Sequence, residues 1–435
     1  MYGGDGLSRL PEDSHGRGKA VFIPFVLEGE TVEIALTEQK SGFARGRVEA
    51  VVEASPHRVQ PKCEYFGSCG GCHYQLTSYE HQLRVKEEIL RETLRRTSKI
   101  ELEAAIEVHP SPPWNYRNRS RLQIATTPEF GAGYFRAGSH DLLPVEQCPI
   151  SSPLINRAIA VLWASGRKNE VPQGVAEIEF FANAEDSQML VEISCYPGAR
   201  RSKLREWTER LRGEMAEIAG VVVFRREASG GATDFERLLN AGEDHLVYRT
   251  RKGEYRVSAG SFFQTNRHMI DELVRIVTEG RSGELAVDLY AGVGLFSTAL
   301  SDFHHTVSVE SSQTSSGDLS YNLSSNGEAV RAATEQYLAR AETSGRIGKG
   351  EVFPHIFHKP DLAVVDPPRS GLGERVARML AALGAPRVVY VSCDPATLAR
   401  DLGMLLGSGY RIEQVHLVDL FPQTFHLESV VHLTR

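Results

Sequence analysis

No stretch of this sequence approaches the roughly 20 consecutive apolar residues that a membrane-spanning helix needs, so a bilayer span is not expected. Its first residues, Met1-Tyr2-Gly3-Gly4-Asp5-Gly6, carry no basic side chain and lead into no apolar run. A secretory leader is therefore not expected, and a cytoplasmic location is. A basic excess is also missing: Lys and Arg number 49 against 56 Asp and Glu, a net charge of −7. That balance runs against the positive charge of a typical nucleic-acid binder. Cysteine is scarce, with six in 435 residues, and a long chain kept in a reducing compartment has no use for a disulfide framework. No internal repeat is visible, which removes solenoid and propeller arrays. What is left is a globular chain with length for roughly three domains. Its hydrophobic content of 41% suffices for more than one core.

Local patterns say more than the totals. Lys19 to Pro24 is an apolar run ending at a proline, Thr31 to Leu36 alternates as a half-buried strand should, and Arg45 to Val52 is a third strand candidate. They suggest a small N-terminal β-barrel over residues 1–55, closing near Ser55-Pro56-His57. Tyr79 to Arg96 has apolar residues at helical spacing and predicts a helix over about 79–97. Residues 56–255 mix short strands such as Leu190 to Ser194 and Val221 to Phe224 with helices such as Leu204 to Met215, an α+β pattern. Beyond about 256 the pattern changes. Apolar runs at 285–289, 306–309, 362–365, 388–391, 415–418 and 430–433 alternate with helical stretches, as in a mostly parallel sheet with helices on both faces. Charge is uneven too. Between Arg84 and Arg121 nine Lys or Arg stand against six Glu, and Arg200, Arg201, Lys203 and Arg205 form a second basic cluster.

The cysteines are grouped. Cys63, Cys69 and Cys72 share one glycine-rich loop, and Cys148 precedes a proline, as the last ligand of an iron–sulfur run often does. Four thiolates suit tetrahedral zinc or a [4Fe–4S] cluster, and spacing does not choose between them. Val287-Asp288-Leu289-Tyr290-Ala291-Gly292-Val293-Gly294 is a strand entering a glycine turn, where backbone can approach a ligand closely. Phe296 to Leu300 is read as the start of the following helix. Glu310 ends the next strand, where an acidic residue can accept ribose hydroxyls. Ser297 stands where nicotinamide-dinucleotide enzymes have a third glycine, which favours S-adenosylmethionine. Cys393 follows a strand and precedes Asp394-Pro395, a cap and first turn whose positive helix end favours thiolate. Local sequence alone leaves it open between a nucleophile and a structural thiol. Asp366-Pro367-Pro368-Arg369 ends a neighbouring strand. The arginine replaces the aromatic residue usual in amino-methylating enzymes. Glu428 precedes the last strand and is either a base or a solvated carboxylate.

Together these motifs resemble the RNA uracil-C5 methyltransferase family. The resemblance rests on the Cys63/Cys69/Cys72/Cys148 set, Ser261-Phe262-Phe263-Gln264-Thr265-Asn266, Asp288-Leu289-Tyr290-Ala291-Gly292, Asp366-Pro367-Pro368-Arg369, Ser392-Cys393-Asp394-Pro395 and His426-Leu427-Glu428, in that order along nearly the whole chain. It implies a class I, Rossmann-like methyltransferase domain over 256–435 and a TRAM-type, OB-like barrel at 1–55. A central iron–sulfur domain at 56–255 lies between them, with the 79–97 helix packed on the catalytic domain. The cysteine set is similar to the 23S ribosomal RNA branch, which implies a [4Fe–4S] cluster. The resemblance assigns Cys393 as nucleophile and Glu428 as base. It places Gln264, Tyr290, Gly292, Glu310 and Asp366 at S-adenosylmethionine, and Phe262 against the flipped base. Arg117, Arg119 and Arg121 are expected phosphate contacts. The expected activity is C5 methylation of one 23S rRNA uridine by a monomer with RNA as partner and no membrane. A tRNA T-loop uridine and a non-catalytic RNA-binding or assembly factor are the alternatives. The sequence departs from the family at Leu295, where many members have Asn, and at Ala333-Thr334, where an acidic residue often holds the adenine.

Overall fold

The computed structural model describes residues 1–11, 18–103, 105–226, 236–346 and 359–435. Strand-forming residues collect into three large sheets. Gly6–Arg9, Ala20–Ile23, Phe43–Glu53 and Thr31–Gln39 form the first, in that spatial order. Its core is small: Val21, Ile23 and Ala44 are its buried residues. The sequence points to a closed barrel here. Among the described residues the four strands form an open sheet, since the first and last in the order do not pair.

The second sheet has seven strands, from Glu236–Gly242 at one edge to Leu142–Pro144 at the other. Helices Pro153–Arg167 and Arg201–Glu214 pack on it through Ile155, Ile159, Leu204, Trp207 and Leu211. The first helix has Ser152 as N-cap and proline in its first turn, the arrangement that satisfies orphan N–H groups most cheaply.

The third sheet has eight strands in the order Gly327–Arg331, Phe303–Glu310, Gly283–Leu289, Leu362–Val365, Arg387–Ser392, Ser429–Thr434, Arg411–Val418 and Ile106–His109. All neighbours are parallel except Ser429–Thr434, which is antiparallel to both of its partners. Side chains alternate between two cores, as the pleat requires. Val388 and Tyr390 face the helices Gly373–Leu383 and Pro395–Gly407, while Val389 and Val391 face the helix Ile270–Thr278. The eighth strand comes from within residues 56–255. A sequence boundary near 255 misses it because four residues, Ile106–His109, carry too little periodicity to be read as a strand.

The helix predicted near 79–97 spans Tyr79–Ser98 and is capped by Ser78. Its buried residues Gln82, Lys86, Leu90 and Leu94 recur every fourth position, forming one face. That face lies on the helix Pro395–Gly407, which packs on the eight-stranded sheet. The helix expected from Phe296 is a single 3-10 turn, Ser297–Ala299. The next strand begins at Phe303, too soon for an α-helix, and Ser297 Oγ is drawn back to Asp288 at 2.5 Å.

Candidate active site

The parallel strands end on one edge of the eight-stranded sheet, and the reacting motifs follow those ends. Asp366 follows Val365, Cys393 follows Ser392, and the glycine turn follows Leu289. The antiparallel pairing of Ser392 with Ser429 brings Glu428 to the same edge from the opposite direction. Cys393 and Glu428, each one residue beyond that pair, are cross-strand neighbours. The Asp394 carboxylate accepts from Ala396 N–H at 3.0 Å and Thr397 N–H at 2.9 Å, which locks the turn carrying the thiol.

The electrostatics differ from the expectation of a thiolate. Burial, joined by the charges of Glu428 and Asp366, pushes the Cys393 thiol up to about 12, against the opposing Arg369 guanidinium. The helix-end effect falls off within a turn and is outweighed by burial of the thiol, to which Glu428 and Asp366 add. Glu428 is held well above the usual carboxylate range by burial and then by Asp366. Asp366 rises to about 7 through burial and Asp288, and Asp288 rises to about 7 through burial. The edge therefore gathers acidic groups out of water, with one cation, Arg369, acting on both Cys393 and Glu428. Arg369 also meets His426 Nδ1 at 3.3 Å.

The first residues of the chain reach this edge. Tyr2 donates from its hydroxyl to the Cys393 carbonyl at 3.3 Å, and its ring meets Phe425 edge-on at 5.7 Å. His73, next to Cys72, packs against Phe425 at 4.6 Å, and Phe425 against His426 at 4.3 Å. Tyr2, His73, Phe425 and Arg369 were not assigned from sequence. Their only signals were an aromatic near a terminus, a histidine beside cysteines and an arginine in a motif.

At the glycine turn, Tyr290 and Gly292 both have positive φ, 65° and 57°. A side chain on Gly292 would meet no atom within 4 Å, so open space lies on that side. Glu310 accepts from Gly292 N–H at 3.0 Å and Ser312 N–H at 2.6 Å, which orients its carboxylate toward the turn. Buried Asp288 has one oxygen, Oδ1, without a partner. Open space, an oriented carboxylate and an orphaned buried acceptor on adjacent strand ends fit a polar nucleoside ligand such as S-adenosylmethionine. At the two departures, Leu295 is buried in the core and the Thr334 side chain is buried as well.

Loop 259–269 lies alongside. Asn266 Nδ2 donates to the Leu420 carbonyl at 3.0 Å, and Ser261 Oγ to Asp318 at 2.6 Å. Gln264 and Phe263 are buried, whereas Phe262 is 62% exposed, so its ring is free to stack. The arginines do not form a basic patch. Arg119 is buried: it pairs with Glu179 at 3.0 Å, donates to the Ser261 carbonyl at 2.8 Å and sits 4.4 Å over Phe181. It is internal because its strand is central, flanked on both sides. Arg121 pairs with Glu179 at 2.8 Å but remains half-exposed. Arg117 turns toward the cysteines.

Cys63, Cys69, Cys72 and Cys148 line one cavity of about 220 Å³ together with Arg117, Tyr134 and Gln75. Cys63 N–H donates to Gln75 Oε1 at 3.1 Å, and Cys148 N–H to Asn156 Oδ1 at 2.8 Å, so backbone at both ends of the set is fixed. All four thiols are free of disulfides. Among the described residues, the ligand-type group with donor atoms all within 4.8 Å of one another is Glu107, His109 and His416. Four thiols lining one cavity suit either tetrahedral zinc or a [4Fe–4S] cluster.

Known proteins resemble this chain over nearly its whole length. Residues 78–435 match the family model described as tRNA (Uracil-5-)-methyltransferase, and residues 2–48 match the TRAM domain. A curated protein of Aquifex aeolicus called an uncharacterized RNA methyltransferase is 31% identical, covering 100% of this chain and 96% of that protein. One of Streptomyces avermitilis, with the same description, is 32% identical over 99% of this chain and 95% of that protein. The crystal structure of Pyrococcus abyssi tRNA (uracil-54, C5)-methyltransferase in complex with S-adenosyl-L-homocysteine superposes with a TM-score of 0.72, at 24% identity, over 99% of this chain and 100% of that one. With the thiol, both carboxyls and the glycine turn on one sheet edge, this chain belongs to the RNA uracil-C5 methyltransferase family, with a TRAM domain ahead of an S-adenosylmethionine-dependent catalytic domain.

Proposed function

We propose that the chain methylates C5 of a uridine in folded RNA through a covalent adduct at Cys393. The observation that carries this reading is the convergence of Cys393, Glu428 and Asp366 at one strand edge, with Glu428 buried and the other two half-buried. Uracil C5 is a poor nucleophile. Attack of the Cys393 sulfur on C6 forms an S–C bond and moves the C5–C6 electron pair toward the C4 carbonyl as an enolate, making C5 nucleophilic. S-adenosylmethionine, when bound, supplies the electrophilic methyl group. Glu428 then takes the C5 proton, and the returning electron pair expels the thiolate. Burial raises this carboxyl above the usual range, which makes it a stronger base than an exposed glutamate. Phe262 stacks on the base once it has left the RNA fold. Gln264, Tyr290, Gly292, Glu310 and Asp366 hold the cofactor, with Asp366 also facing the uracil edge. Arg121 is the remaining phosphate contact of the three arginines, because its guanidinium reaches solvent.

The substrate reading is a 23S rRNA uridine, supported by the four-cysteine set, which we assign to a [4Fe–4S] cluster. The tRNA T-loop reading is favoured by the full-length likeness to the archaeal tRNA enzyme. Mapping 5-methyluridine in total RNA with and without the gene separates them. For the chemistry, RNA carrying 5-fluorouracil with the cofactor is expected to trap a covalent protein–RNA adduct, absent in Cys393→Ala. An adduct surviving that substitution removes the proposed nucleophile. Glu428→Gln is expected to form the adduct yet turn over at least about a hundredfold more slowly.

A further inference from the structure

We propose that Glu107, His109 and His416 form a zinc(II) site at the outer edge of the catalytic sheet, distinct from the cysteine cavity. Glu107 and His109 lie two residues apart on the edge strand, so they share a face. The register sets Glu107 beside His416 on the neighbouring strand. His109 Nε2 and His416 Nδ1 are 3.1 Å apart, and Glu107 Oε2 is 3.3 Å from His416 Nδ1 and 3.8 Å from His109 Nε2. A point equidistant from three atoms so spaced lies about 2.0 Å from each, the ordinary length of a zinc–nitrogen or zinc–carboxylate bond.

Protonation points the same way. His109 Nδ1 is 2.8 Å from Glu272 Oε1 on the helix Ile270–Thr278, and a carboxylate only accepts. His109 therefore donates from Nδ1 and turns the lone pair of Nε2 toward the other two groups. Glu272 is itself held by Arg275 through bonds of 2.7 and 2.8 Å. A carboxylate that orients the far nitrogen of a ligand histidine is the usual support of a zinc site. Two acceptors, His109 Nε2 and the Glu107 carboxylate, then converge beside a single imidazole nitrogen of His416. One cation satisfies all three. The Glu107 side chain is 62% exposed, which leaves a fourth position open to water.

The ion would be structural, since Cys393 lies at the end of a strand three places in from the edge strand. It would pin the strand Ile106–His109, which leads into the seven-stranded sheet, to the catalytic sheet. The test uses the full-length protein, purified anaerobically and dialysed against EDTA, then titrated with zinc(II) and separately with cobalt(II). The expected result is one zinc per chain, with affinity weakened more than about tenfold by Glu107→Gln and by His109→Gln. Glu107 is exposed, so its variant is expected to melt as the zinc-free parent does. Cobalt(II) should show the visible bands of nitrogen and oxygen ligation without strong near-ultraviolet sulfur absorption. No bound zinc, zinc that both variants retain, or a cobalt spectrum with thiolate absorption overturns the proposal.

Discussion

Cys393, the proposed nucleophile, sits where its thiolate is disfavoured in the RNA-free protein. Burial comes first, followed by the charges of Glu428 and Asp366. A thiol pushed up to about 12 is almost wholly protonated near neutrality. Its thiolate fraction then rises about tenfold for each pH unit until the pKa is reached. Alkylation of Cys393 by iodoacetamide, followed by peptide mass spectrometry, is expected to accelerate about tenfold per unit between pH 7 and 9. Asp366→Asn removes one negative neighbour and is expected to raise the rate at every pH in that window. A flat profile would mean the thiolate is already formed. The same burial raises the Glu428 carboxyl, and Asp366 adds to it. Arg369 is the counterweight, and its reach to both groups explains why an arginine follows Asp366-Pro367-Pro368.

The helix Tyr79–Ser98 belongs by sequence to the middle of the chain but works as a clamp on the catalytic edge. Lys86 Nζ, fully buried, donates to Asp419 at 2.7 Å and to the Phe421 carbonyl at 2.9 Å. Tyr79 donates to the other Asp419 oxygen at 2.9 Å. Gln82 and Gln423 exchange two bonds at 3.0 Å, and Gln423 sits at φ 68°. These contacts fix the segment that runs from Asp419 to Glu428. Removing one partner of a buried pair leaves the other charge without a counterion. Lys86→Met is therefore expected to cost about 3–5 kcal/mol in denaturant unfolding, and adding Asp419→Asn should restore much of it. A loss below about 1 kcal/mol, the range of exposed pairs, would show that the clamp is not a buried ion pair. The basic cluster in this stretch is mostly neutralised: Lys86 by Asp419, Arg91 by Glu87, and Arg95 and Arg96 by Glu92.

Across the whole molecule, the cysteine loop and the two residues after it meet the edge of the seven-stranded sheet and the loop that carries Gln423. Cys69 bridges Arg136 beside the seven-stranded sheet, while His73 and Tyr74 donate to the Gln423 carbonyl at 2.8 and 3.0 Å. A cluster on the four thiolates would therefore stiffen the connection between the central sheet and the catalytic loop. Anaerobically purified protein is expected to contain about four iron and four sulfide per chain. Cys148→Ser should lose the iron and lower the Tm. A colourless protein with zinc on the cysteines would overturn the cluster assignment.

How much of this was legible beforehand depends on the range of the interaction. Strands with a clear apolar run, the 79–98 helix and the strand-end motifs are local matters of period, caps and turns, and all could be read along the chain. The strand Ile106–His109 could not, because its place depends on pairing with residues some three hundred positions away. The role of Arg119 was misread for a similar reason. Its charge is visible in the sequence, but its burial against Glu179, Glu192 and Phe181 is not. The sequence by itself determined which side chains have the chemistry: a thiol before a capped helix, carboxyls at strand ends, a glycine turn and a cysteine set. Only the tertiary structure decided their charge states and company, because burial and the proximity of Asp366, Glu428 and Arg369 arise when distant strands meet. The same folding brought Tyr2 to the thiol and gathered Glu107, His109 and His416 within bonding distance of one point.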